Sequence, residues 1–235
     1  MSLPGTILIA RPEPGASETA QRVAGMGFVP LLAPALTIEA TETHLPPATA
    51  ISAVLATSGN ALAAGVPAFR DIPLFTVGDA TATQAKTLGF ARVISASGDA
   101  KTLAELVIRD RRPAEGALLL LAGQGQGLTL AAVLRKAGFR VLRRVVYRSR
   151  PAAALPESVP QALQAGQVRA ALFFSAETAR AFIRLILQQD LRETVRTIDA
   201  LAIGTAAGVA LQALPWRRVG VAAKPTQDAM LALLR

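Results

Sequence analysis

At 235 residues and a formal net charge of +9, the chain is long enough for one large domain or two small ones. It contains no cysteine, which excludes disulfides, thiolate nucleophiles and cysteine metal sites and suits a cytosolic protein. Its basic residues are spread along the chain, with no lysine-rich tail and no basic run interleaved with aromatics, so a small polyanion is a better partner than nucleic acid.

The elements alternate from the start. A short apolar strand at 6–10 leads into an amphipathic helix at 16–26, then Gly27 and a strand at 28–32. Strands follow at 51–56, 73–77, 92–95, 117–121, 140–148, 170–174, 199–203 and 218–222. Helices are expected at 59–66, 79–88, 99–109, 126–137, 157–165, 176–189, 205–213 and 226–234. This alternation predicts an α/β fold with parallel sheets. Ser58, Asp99, Ser175 and Thr226 stand at helix starts as capping residues. Gly27, Gly89 and Gly138 stand at helix ends. The uncharged stretch 46–69 carries hydroxyls, glycine and proline and breaks into a strand and a helix, a poor membrane span. The opening Met1-Ser2-Leu3-Pro4-Gly5 lacks a basic region followed by an apolar run, so no signal peptide is expected.

The pattern repeats. Gly5 and Gly27 match Gly116 and Gly138 at an offset of 111; Ser58 matches Ser175 at 117; Val77-Gly78 matches Ile203-Gly204 at 126. Drifting offsets of this size indicate two similar Rossmann- or flavodoxin-like lobes rather than a solenoid. A ligand cleft between the lobes is then expected. Two extended, proline-flanked segments, 31–40 and 143–150, interrupt the alternation at equivalent places. They are expected to pair as an antiparallel connector, which gives one lobe from 1–30 with 151–235 and another from 41–142.

Few residues could carry catalysis. His44 is the sole histidine and lies in a polar loop, which leaves a Ser-His-Asp triad unsupported. No His/Asp/Glu cluster has metal-ligand spacing. Gly123-Gln124-Gly125-Gln126-Gly127 follows a strand and precedes a helix, so it reads either as an anion-facing loop or as a plain turn. It has no Gly-Lys-Ser/Thr ending and no following ribose-binding acid. The remaining polar groups, Thr57, Ser58, Thr81, Ser175, Thr178 and Thr205, fall where strands pass into helices, the ligand-facing edge of an open α/β sheet. They read as carboxylate contacts or as helix caps. Tyr147, the sole tyrosine, lies on the second connector segment. Its phenol could assist a leaving hydroxyl or pack at a lobe junction.

In this order the motifs resemble those of the uroporphyrinogen-III synthase family. They are Ala10-Arg11-Pro12, Thr57-Ser58-Gly59-Asn60-Ala61, Val77 to Ala82, Gly89-Phe90, Thr102 to Leu106, Val146-Tyr147, Phe173-Phe174-Ser175, Ile203-Gly204 and Lys224-Pro225-Thr226. The resemblance implies two α/β lobes joined by a two-stranded ladder. It implies that the substrate is hydroxymethylbilane, a linear tetrapyrrole carrying eight carboxylates, closed with inversion of its last ring and loss of water. The pyrrole supplies the electron push, so no metal or cofactor is required. The resemblance assigns Tyr147 to catalysis, and Arg11, Thr57, Ser58, Asn60, Thr81, Gly123, Arg148, Ser175, Thr178, Gly204 and Thr205 to the substrate. A cytosolic monomer without a nucleic-acid or membrane partner is expected. Two departures, Ala206-Ala207-Gly208 where the family usually carries Thr-Thr-Ala and Ala122 in place of arginine, leave a non-catalytic tetrapyrrole- or anion-binding module as the alternative.

Overall fold

The structure is a computed structural model that describes residues 5–62 and 67–235. Its elements in chain order are β1 (Thr6–Ile9), α1 (Gly15–Gly25), β2 (Val29–Leu32), β3 (Leu36–Ala40), β4 (Ile51–Ala56), β5 (Leu74–Thr76), α2 (Asp79–Thr87) and β6 (Val93–Ser95). Then follow α3 (Ala100–Asp110), β7 (Ala117–Gly123), α4 (Leu128–Lys136), β8 (Val141–Pro151), α5 (Ser158–Gln164) and β9 (Val168–Phe173). The last are α6 (Ala176–Gln188), β10 (Asp199–Ala202), α7 (Thr205–Leu211), β11 (Arg218–Val221) and α8 (Gln227–Leu231).

The chain forms two compact units, 1–37 with 150–235 and 38–149. The first holds a parallel sheet of order β11-β10-β9-β1-β2. The second holds a sheet of order β3-β8-β7-β4-β5-β6, parallel from β8 to β6. Leaving β3 aside, the two orders are the same arrangement entered at different points. β1-β2 corresponds to β7-β8, and β9-β10-β11 to β4-β5-β6. This is the repeat that the drifting offsets announced. β3 runs antiparallel along β8: Thr41 N–H donates to Val146 O, and Ala152 N–H to Ala35 O.

Both faces of each sheet are covered, which explains the unbroken apolar runs. In β1, Leu8 and Ala10 just beyond it enter one core while Ile7 and Ile9 enter the other. In β7, Leu119 and Leu121 face one side, Leu118 and Leu120 the other. Alternation within a continuous hydrophobic run is the expected behaviour of a strand with period two. The helices add single apolar stripes. Ala179, Phe182, Ile183 and Ile186 of α6 are buried, and Phe182 meets Phe173 edge-on at 5.4 Å between ring centroids.

Local signals are realised. Side chains of Ser58, Asp99, Ser175 and Thr226 accept hydrogen bonds from backbone N–H groups at their helix starts. Gly27, Gly89 and Gly138 take positive φ of 86°, 88° and 90°, as helix-ending glycines do. The helix expected over 59–66 is instead a 3-10 turn, Gly59–Ala61; its continuation through 63–66 lies outside the described residues. Among the described residues four further 3-10 segments, Ala48–Ala50, Pro67–Phe69, Pro113–Glu115 and Arg192–Thr197, carry too little periodicity to announce themselves, and a fifth, Ala232–Leu234, ends the helix expected over 226–234. Among the described residues no helix is long and apolar enough to cross a membrane.

Candidate functional site

An open parallel sheet binds ligands beyond its strand carboxyl ends, where the strand order reverses. In the second unit the reversal lies between β4 and β7. Thr57 and Ser58 follow β4 there, and β7 ends at Gly123. The Ser58 hydroxyl accepts from Asn60 N–H at 3.3 Å, so it serves as a cap, and Thr57 and Asn60 stand half-buried beside it. Thr81 is half-buried in the first turn of α2, one strand further out.

Tyr147 comes to the same edge by register. After a shift between Ala122 and Gly123, β7 sets Gly123 opposite Tyr147 of β8. The aromatic ring lies against the glycine: a Cβ on Gly123 would stand 2.7 Å from Cζ of Tyr147. Only glycine leaves that space. The ring is 4% exposed, and its hydroxyl donates to Oε1 of Gln126 at 2.9 Å. Arg143 fixes the glycine-rich loop from below. Its Nε donates to Gln126 O at 2.7 Å and its Nη2 to Gly123 O at 3.2 Å. Gln124 N–H donates to Tyr147 O at 2.9 Å. Gly125 and Gly127 supply the left-handed turns, with φ of 74° and 73°. The loop is therefore tied to β8 by side chain and backbone alike.

In the first unit the order reverses between β1 and β9. Arg11 follows β1 and Phe174 follows β9, and the guanidinium carbon lies 4.2 Å from the Phe174 ring centroid, a cation–π geometry. Nη1 of Arg11 also donates to Thr19 Oγ1 at 3.3 Å and Gln227 Oε1 at 3.4 Å. The side chain lies over Gly15, where a Cβ would stand 2.1 Å from Nη2. Burial pulls the Arg11 pKa below its ordinary value, and Glu18 and Glu13 push the other way. A guanidinium at a strand-order reversal presents two-pronged donors to a carboxylate.

The other expected residues divide. Ser175 caps α6 by accepting from Thr178 N–H at 3.0 Å, and its own hydroxyl lies 2.9 Å from Thr178 Oγ1. Thr178 is buried, 3% exposed. Gly204 caps α7 and Thr205 begins it, exposed. Arg148 forms an ion pair with Glu39 of β3, Nε to Oε2 at 2.7 Å, along the ladder. Ala122 is fully buried within β7, and its Cβ lies by the glycine-rich loop, 3.2 Å from where a Cβ on Gly127 would stand. Tyr147 and Gly123 are thus brought into direct contact, with Gln126 and Arg143 added. The sequence shows Gln126 only as a member of the glycine-rich loop and does not show Arg143, since their contacts depend on the register of β8 against the loop, and no spacing announces it.

The uroporphyrinogen-III synthase HemD family model matches residues 17–232. The chain belongs to the uroporphyrinogen-III synthase family. Members of this family are cyclising lyases of haem biosynthesis. The fold is similar to that of uroporphyrinogen-III synthetase from Helicobacter pylori, with a TM-score of 0.64, 20% identity and 98% of each chain covered. A triple-mutant uroporphyrinogen III synthase from the extreme thermophile Thermus thermophilus gives a TM-score of 0.51 at 22% identity, over 98% of this chain and 97% of that one. No curated protein sequence matches.

Proposed function

We propose that this chain closes hydroxymethylbilane to uroporphyrinogen III as a cytosolic, monomeric hydro-lyase, with Tyr147 as the catalytic acid. The observation that carries the reading is the single phenol laid on Gly123 at the carboxyl edge of β7, its hydroxyl already in a hydrogen bond. The bilane's terminal C–O bond breaks with both electrons going to oxygen. The phenol proton accompanies that oxygen, so water leaves; the pyrrole nitrogen fills the vacancy and gives its N–H proton back to the phenolate, which yields an azafulvene and restores the phenol. The substituted α-carbon of the last pyrrole then attacks the exocyclic methylene and forms the spiro intermediate. Breaking and remaking the bond to the neighbouring ring inverts the last ring.

A phenol suits the first step because it transfers a proton without placing a permanent charge beside the substrate. Most of the driving force comes from the pyrrole, and the protein's larger task is to hold the reacting carbons together. Arg11 at one strand-order reversal, and Thr57, Ser58, Asn60 and Thr81 at the other edge, are the proposed carboxylate contacts. Backbone N–H groups at the helix starts assist them. Ser175 and Thr178 stand at the start of α6 in the same unit as Arg11, held by their mutual bond, and Arg148 acts with Glu39. The test is to supply hydroxymethylbilane and follow the ring-inverted product chromatographically.

A further inference from the structure

Gln126 is fixed at both ends of its peptide. Its N–H donates to Gly123 O at 3.0 Å, and its carbonyl accepts from Arg143 Nε at 2.7 Å. The carboxamide is thereby delivered to the Tyr147 hydroxyl, which donates its one proton to Oε1 at 2.9 Å. In that state the proton is not available to a leaving hydroxyl. The terminal torsion of glutamine is broad and roughly two-fold, so a half-turn exchanges Oε1 for Nε2 with little cost. The amide then donates to the phenolic oxygen and leaves the proton free for the substrate. The same N–H supports the negative charge that remains on oxygen once the proton has gone, and a hydrogen bond to a charged form favours that form.

We infer that Gln126 is the positioning residue for the Tyr147 phenol, holding its proton in the free protein and releasing it by an amide half-turn when substrate arrives. Arg143 acts one step further out, by fixing the loop from which Gln126 projects. The inference rests on the proposed cyclisation and specifies how its acid is handled. It adds a requirement that the cyclisation itself does not impose: the side chain at 126 must both accept and donate.

Two substitutions separate those abilities on an exposed side chain. Gln126→Glu still accepts but cannot donate, and it sets a negative charge beside the phenolate. Gln126→Met keeps the length and does neither. Tyr147 is the sole tyrosine, so a near-ultraviolet absorbance titration of the full chain reads its phenol alone. The expected result for Gln126→Glu is a phenol midpoint about one pH unit or more above that of the unsubstituted chain. Its kcat for isomer III falls about tenfold with KM nearly unchanged, and the alkaline limb of the pH–rate profile moves with the midpoint. Gln126→Met loses a similar factor in kcat with a smaller movement of the midpoint. Isomer III from the unsubstituted chain, together with an unmoved midpoint in Gln126→Glu or an unchanged kcat in both variants, overturns the inference and leaves the cyclisation standing. Isomer I alone from the unsubstituted chain overturns both.

Discussion

Gly123→Ala is expected to disable the reaction through Tyr147 while leaving the fold in place. The new Cβ would lie 2.7 Å from Cζ, 2.8 Å from Cε2 and 2.9 Å from the hydroxyl oxygen of Tyr147. Carbon atoms rest at about 3.5–4.0 Å, so the ring must retreat by about 1 Å. Gly123 closes β7 without a left-handed backbone, so alanine brings no conformational strain of its own. The ring is 4% exposed, and making room means repacking, at about 1–3 kcal/mol of stability. A displacement near 1 Å of a group that must meet a reacting atom costs on the order of 10²-fold in rate. The assay is the initial rate of isomer III formation, with a thermal melt as control. In a Tyr147→Phe background the same alanine should cost little further rate, since the phenol is already gone and the two changes share one mechanism. A full rate in the single variant, or an undiminished loss in the double variant, would refute the placement of the phenol on Gly123.

Tyr147→Phe removes the acid but keeps the ring, and is expected to lower kcat toward the low end of about 10²–10⁴-fold with product binding nearly intact; an unchanged rate of isomer III formation removes Tyr147 from the mechanism. Asp199, 5% exposed, is held below the usual carboxylate range by hydrogen bonds from Arg217 at 2.7 Å and Arg218 at 2.9 Å, against the opposing effect of burial. A carboxylate with a depressed folded pKa contributes stability above its unfolded value, and that contribution is lost as pH falls through the folded value. Asp199→Asn is therefore expected to cost about 1–3 kcal/mol near neutrality and progressively less below about pH 4; melts that show no difference at pH 7, or an equal one in acid, would contradict this. Product affinity is expected to weaken only modestly with salt, because backbone and hydroxyl contacts are screened less than exposed ion pairs; a slope as steep as that of a nucleic-acid binder, read by titration at two ionic strengths, would point to a different ligand.

Much of the architecture is legible because its causes are local. Unbroken runs such as Ile7-Leu8-Ile9 and Leu118 to Leu121 mark strands covered on both faces, and Gly27 and Gly138 mark the helix ends at matching places. The repeat then forces matching sheet orders. The segment after Ser58 was harder: Gly59-Asn60-Ala61 carries a capping serine but no helical stripe, and it settles as a 3-10 turn. At the site, the position of hydroxyls at strand ends could be read, but not their use. Ser58 and Ser175 accept from the backbone, a role that their sequence position equally predicts. Gln126 could be read only as part of the glycine-rich loop and Arg143 not at all, because a register shift at Ala122/Gly123 decides which loop atoms meet β8, and registers are set by tertiary packing.

The proposed reaction stands or falls on one product ratio. Hydroxymethylbilane closes unaided to isomer I, in which the last ring keeps its orientation, so only isomer III reports catalysis. With the chain present, the account predicts that isomer III forms in large excess and that its share falls as Tyr147→Phe replaces the unsubstituted protein. Isomer I as the only product, at the rate seen without protein, would contradict it.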